Sequence, residues 1–180
     1  MTDPVLYDAV TLRHFGAIGR FDILETCHGH LMPPRWTEAV AEEIKKAAAI
    51  GQPGCKTILE AAWLLSPLEP QTQDLKAILQ LQIGLNEGKR PPTAHAGEAE
   101  GIYFAEKLGG RFITDDNGAH DFATRRLGPG RVQDTVDLLR GAVAMGDLLP
   151  GEAHIAANAI RNCGRHLRRV HPSTFPPNYF

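Results

Sequence analysis

The chain has 180 residues, enough for one domain with a sizeable hydrophobic core. Apolar residues make up 43% and charged residues 22%, a balance that excludes a disordered or fibrous chain. The net charge of −2 excludes a uniformly basic nucleic-acid binder, so any such contact must come from a local basic patch.

The opening "MTDPVLYDAVTL" lacks a basic region followed by a long apolar stretch, so no signal peptide is expected. Nowhere does the chain reach the ~18 uninterrupted apolar residues of a membrane span. "PVLYDAV" reads as a buried strand over residues 4–7 that ends at Asp8. "AVTLRHFGAIGRFDIL" has helical spacing, with Leu12, Phe15 and Ile18 on one face, and Gly16 and Gly19 mark a short helix and a turn. Cys27, His28 and His30 fall in "CHGH", but a zinc site needs four ligands in paired spacing, so this reads as a loop. With Cys55 and Cys163 the cysteines number three and form no C-x-x-C, which argues against a disulfide framework and for a reducing cytosol.

Pro34 stands near the start of an amphipathic helix that carries Trp36, Val40 and Ile44 and ends at Gly51. After the loop "GQPGC" come a small helix and "WLLSPLEP", read as a strand ended by proline. "QTQDLKAILQLQIGLNEG" is a helix with Leu75, Ile78, Leu79 and Leu81 apolar, and "KRPPTAH" is an exposed linker. A helix over 97–108, a Gly-Gly turn, a strand over 111–114, an acidic turn and a helix over 117–127 follow. A short strand near Val132, one more helix, a final helix through "GEAHIAANAIRNCGRHLRRV" and a Pro-rich extended tail complete the chain. Strands alternating with helices predict an α/β domain of three layers, a central parallel sheet with helices on both faces.

Ligands in open parallel sheets bind beyond the carboxyl ends of the strands. Asp8 ends the first strand, Asp115 and Asp116 end the strand "RFIT", Glu98 lies in the first turn of the preceding helix, and Glu42 and Glu43 lie on the Trp36 helix. Converging carboxylates repel one another unless a cation sits among them, and oxygen donors without His or Cys favour a hard ion such as Mg2+ or Mn2+. Such an ion polarises a phosphoryl group and activates water. Each acid also has an ordinary role: Asp8 as a helix cap, Glu98 as a partner of the helix dipole, "DDNG" as a turn, Glu42 and Glu43 as a wet helix face.

Together "VLYDAVTLRHFGAIGRFDIL", "WTEAVAEEI", "GEAEGIYFAEKLGGRFITDDNGAHDFATRRLG" and "VQDTVDLLRGAVAMG" resemble a PIN domain, most of all the branch close to the VapC-type toxins of toxin–antitoxin pairs. The resemblance covers residues 5 to about 150. It implies a nuclease domain over 1–150, with 151–180 adding a helix and a Pro-rich tail. It implies a Mg2+- or Mn2+-dependent endoribonuclease, a hydrolase of RNA phosphodiesters that leaves 5′-phosphate and 3′-hydroxyl ends. Asp8, Glu43, Glu98 and Asp116 take the four acidic places, with Glu42 as the alternative to Glu43 and Asp115 sharing or replacing Asp116. Thr114 takes the place of a hydroxyl that orients ligand or water, and Asp121 is a weaker acidic candidate whose ordinary role is that of a helix-surface residue. RNA, a cognate antitoxin and a second copy of the chain are the implied partners.

The chain departs from the family pattern at Val10, where many relatives carry Ser or Asn, in the longer stretch from Gly51 to His95, and in the tail past Leu149. A PIN-like module that binds RNA or a protein without cutting is therefore the alternative, and a phosphatase of another α/β fold a third. Basic candidates for phosphate contact are Lys89, Arg90, Arg125, Arg126 and Arg131. Arg161, Arg165 and Arg168, placed on one helical face with Arg169 beside them, are a second set. Neither a P-loop nor a G-x-G-x-x-G is present.

Overall fold

A computed structural model of the chain describes residues 4–28, 34–86, 94–168 and 179–180. The described elements run, in chain order, β1 (Val5–Tyr7), α1 (Ala9–Ile18), α2 (Phe21–His28), α3 (Glu38–Ala49), α4 (Cys55–Leu59), α5 (Leu75–Asn86), α6 (Ala96–Lys107), β2 (Arg111–Ile113), α7 (Asn117–Leu127), β3 (Val132–Gln133), α8 (Thr135–Met145) and α9 (Pro150–Asn162).

The three strands pair in parallel in the order β1-β2-β3, with Leu6 opposite Phe112, Tyr7 opposite Ile113, and Ile113 opposite Gln133. Two single-residue parallel bridges widen this sheet beyond β1, one between Leu6 and Arg35 and one between Thr37 and Leu68. Alternation along the strands divides the core. Val5, Tyr7 and Ile113 pack with residues of α1, α2, α3, α4, α8 and α9, while Leu6, Phe112 and Val132 pack with residues of α5, α6 and α7. The sheet is therefore buried on both faces, the condition under which short parallel strands read as unbroken apolar runs. Gly101 of α6 lies so close to β2 that an added Cβ would meet the Phe112 ring at 2.4 Å.

Several boundaries differ from the sequence expectation. The segment after Asp8 forms two helices, because Gly19 takes a left-handed φ of 66° and closes α1 on the carbonyls of Phe15 and Gly16. The Trp36 helix begins only at Glu38, since Arg35 exchanges backbone hydrogen bonds with Val5 and Tyr7, and Thr37 caps the helix. Trp36 itself is core, and its indole N–H donates to the Leu65 carbonyl at 2.6 Å. "WLLSPLEP" contributes one bridge at Leu68 rather than a full strand. The last helix stops at Asn162, and Gly164 turns the chain with φ 72°, so Arg161, Arg165 and Arg168 do not share a helical face. Lys89, Arg90, His30, Arg169 and most of the expected linker and tail lie outside the described residues, as do the side chains of Cys27 and His28.

Candidate active site

Three aspartates follow the carboxyl ends of the three strands. Asp8 follows β1, Asp115 stands two residues past β2, and Asp134 follows β3. Parallel register makes them neighbours: the Asp8 N–H donates to the Ile113 carbonyl at 3.2 Å, and the Thr114 N–H donates to the Gln133 carbonyl at 3.0 Å. Asp8 is buried and caps α1, its Oδ1 accepting the Thr11 N–H at 2.7 Å. The Thr114 hydroxyl, also buried, donates to Asp8 Oδ2 at 2.5 Å.

Burial pushes the Asp8 carboxyl up to about 8 and the charge of Asp115 pushes the same way, against the hydrogen bonds from Thr114 and Thr11. Asp115 responds oppositely. Its burial favours the neutral form, yet the hydrogen bond and charge of His14, the Thr135 hydroxyl and the Arg168 N–H together hold its carboxyl below the ordinary range. His14 Nδ1 lies 3.3 Å from Asp115 Oδ2, and the Arg168 N–H reaches Asp115 Oδ1 at 3.4 Å. Asp116 caps α7 by accepting the Ala119 N–H at 2.8 Å, and its own N–H donates to Thr114 Oγ1 at 3.2 Å.

A second pair of acids comes from α3 and α6. Burial and then the charge of Glu98 raise the Glu43 carboxyl, while Arg13 and the Gly97 N–H act against them. Gly97 lets Glu43 lie against the start of α6: a Cβ there would stand 2.8 Å from Glu43 Oε1 and would displace that carboxylate. Glu98 Oε1 lies 3.1 Å from His95 Nδ1, and His95 takes a left-handed φ of 61° at the start of α6. Glu42 points elsewhere and is ion-paired in solvent with Lys45 at 2.6 Å. The structure thus brings Glu43, not Glu42, toward Glu98. The sequence reading missed Glu100, which caps α3 by accepting the Ala39 N–H at 3.0 Å.

A cavity of about 760 Å³ opens over Asp115 and Asp116, while Asp8, Glu43, Glu98 and Thr114 do not line it. Asp115, Asp116, His14 and Val10 lie on its wall with His95, Arg125, Arg165 and His166. Val10 presents methyl groups where a polar contact is expected from the resemblance. Asp121 also lines the cavity and is paired with Arg168 at 3.0 Å. Two other basic candidates are committed elsewhere: Arg126 pairs with Glu106 at 3.0 Å, and Arg131 clamps the Gly110 and Ala105 carbonyls.

Donor chemistry offers two places for a cation. Asp8 faces the charge of Asp115, and Glu43 that of Glu98, two all-oxygen pairs of the kind a hard ion prefers, but no three of Asp8, Glu43, Glu98, Asp115 and Asp116 bring ligand atoms within 4.8 Å of one another. Among the described residues, however, only His120, Asp134 and Asp137 bring three ligand atoms within 4.8 Å of one another, a group that can hold a metal ion. Asp134 and Asp137 also form the reciprocal cap of α8. The strand–"DTVD" spacing carries that cap, but nothing in the sequence points to His120 as its neighbour. No protein-family model matches this chain, and comparison with the curated proteins and with the solved structures found no match.

Proposed function

We propose that this chain is a metal-dependent endoribonuclease of PIN type, with Asp8, Glu43, Glu98 and Asp116 as the acids of the site and Asp115 beside them. The reading is carried by one observation: buried Asp8 and Asp115 stand at the carboxyl ends of paired parallel strands, and Asp115 lines a cavity of about 760 Å³ there. The sheet covered by helices on both faces supports a three-layer PIN-like domain, and α9 packs into the same core. In this reading Mg2+ or Mn2+, when bound, supplies water activation and offsets charge on the phosphoryl group.

The chain's own residues prepare that site. The Thr114 hydroxyl and the Thr11 N–H fix the Asp8 carboxyl in one orientation. His14 and Thr135 do the same for Asp115 and keep it ionised. Gly97 leaves room for Glu43 to lie against the start of α6 beside Glu98. Asp116 is held at the cavity wall by its capping bond. The same reading makes the chain the toxin of a toxin–antitoxin pair, a cytosolic homodimer acting on RNA. Among the described residues no helix is long and apolar enough to cross a membrane.

A binding module that does not cut is favoured by a different observation. Asp8, Asp115 and Asp116 each already accept hydroxyl or backbone N–H donors, and no three of the proposed acids converge within 4.8 Å. Incubation of a panel of structured and unstructured RNAs with Mg2+ or Mn2+ separates the two. Cleavage by the wild type that is lost in Asp8→Asn and Glu98→Gln, both folded, supports the nuclease. No cleavage of any RNA by folded, partner-free wild type sinks it.

A further inference from the structure

The chain beyond α9 completes the cavity, and its arginines divide into two roles. Gly164, with its left-handed backbone, turns the chain off the axis of α9, its N–H donating to the Arg161 carbonyl at 2.8 Å. Leu167 is fully buried and anchors the segment. Arg168 then staples it: its N–H reaches Asp115, and its guanidinium meets Asp121 at 3.0 Å and Asp134 at 3.7 Å. Between the turn and the staple, Arg165 and His166 are laid along the cavity wall opposite no carboxylate of their own segment.

Arg165 differs from Arg168 in its company. Among the described residues it pairs with no carboxylate, and the strongest charge acting on it is that of a second guanidinium, Arg13. Burial, followed by the Arg13 charge, lowers the Arg165 pKa, so an approaching anion would relieve a repulsion already built into the fold. Arg125 lines the same cavity from α7 and rests over the Phe122 ring at 5.9 Å, again without a carboxylate partner among the described residues. Asp115 and Asp116 on one part of the cavity wall and guanidiniums without carboxylate partners on another suit a ligand that carries anionic charge at regular intervals. A nucleic-acid strand has that pattern, with a charge on every phosphate.

We infer that Arg165, carried into the cavity by the turn at Gly164 and supported by Arg125, binds a backbone phosphate of single-stranded RNA and positions the strand against the acids. The inference rests on the ribonuclease reading for its choice of ligand, but its test does not require cleavage. Binding of a single-stranded RNA 12-mer to the full chain carrying Asp8→Asn, without divalent metal, is measured across a salt series by fluorescence anisotropy. Arg165→Ala in that background is expected to weaken binding about tenfold and to reduce the log–log salt slope by about 0.7, one phosphate contact on a single strand. Arg126→Ala, which breaks a surface pair outside the cavity, is expected to leave both unchanged, and melting temperatures verify that each variant is folded.

Equal affinity and slope in folded Arg165→Ala overturn the inference even if the wild type cleaves RNA. Absence of RNA binding in the parent overturns it too. Inorganic phosphate that protects the parent from thermal unfolding, without RNA binding, assigns a free-anion site instead. An Arg165-dependent affinity in a chain that never cleaves keeps this inference and removes the nuclease reading.

Discussion

Asp8 and Asp115 stand at the ends of neighbouring strands, and the fold drives their carboxyl groups in opposite directions. Asp8 is pushed up to about 8 by burial, while Asp115 is held low, against its burial, by His14 and Thr135. Two titratable groups separated in this way within one site are the usual mark of a place where charge has a task. The cost is stability, since a buried carboxyl beside a second carboxylate opposes folding.

Asp8→Asn should therefore separate stability from activity. The amide keeps an oxygen for the Thr11 N–H and a polar group for Thr114, and it carries no charge to bury. The variant is expected to melt no lower than the wild type in chelator at neutral pH and to lose at least about 100-fold in metal-dependent RNA cleavage. A folded Asp8→Asn enzyme of wild-type activity would falsify the assignment of Asp8.

The two candidate metal positions make different predictions for titration calorimetry with Mn2+. If the ion sits among the acids of β1, α3 and α6, Asp8→Asn and Glu98→Gln each lower affinity about tenfold or more, and His120→Ala leaves it unchanged. The reverse pattern moves the ion to His120, Asp134 and Asp137 at the end of β3.

Asp74 supplies a pH signature far from the site. Its buried carboxyl accepts from the Tyr103 hydroxyl at 2.5 Å and from Lys107 Nζ at 2.9 Å, and these bonds, the tyrosine first, hold it down to about 2. A carboxyl held low in the folded chain favours folding above its unfolded value of about 4. That advantage drains away as pH falls toward about 2 and is gone below it. Asp74→Asn should lack this loss, so urea unfolding of the two proteins should differ most at neutral pH and converge between pH 4 and 2. A constant difference across that window would show that Asp74 does not titrate low.

Gly101→Ala tests the packing of α6 on the sheet. The added methyl would meet the ring of Phe112, which is itself fully buried, at 2.4 Å and has no room to move it cheaply. Overpacking of this kind costs about 1–3 kcal/mol, visible as a lower denaturant midpoint at unchanged slope. A midpoint equal to that of the wild type would mean that the helix shifts freely on the sheet.

The sequence by itself determined the elements whose signals are local. The apolar run before Asp8, the "RFIT" strand, the cap at Asp8 and the parallel α/β class are all legible as period, capping chemistry and alternation. It also limited the acids worth weighing, because strand ends and first turns are few. Tertiary structure alone decided among them. Glu42 and Glu43 are adjacent in sequence, but a helix turns about 100° per residue, so one meets Lys45 in solvent and the other faces Glu98 on α6. His14, Thr135 and Arg168 act on Asp115 across 101, 20 and 53 residues respectively, and no local pattern encodes contacts of that span. The reach of the last arginines was decided the same way. A left-handed glycine at 164 ended a helix that periodicity alone would have continued, and it made Arg168 a staple and Arg165 part of the cavity wall.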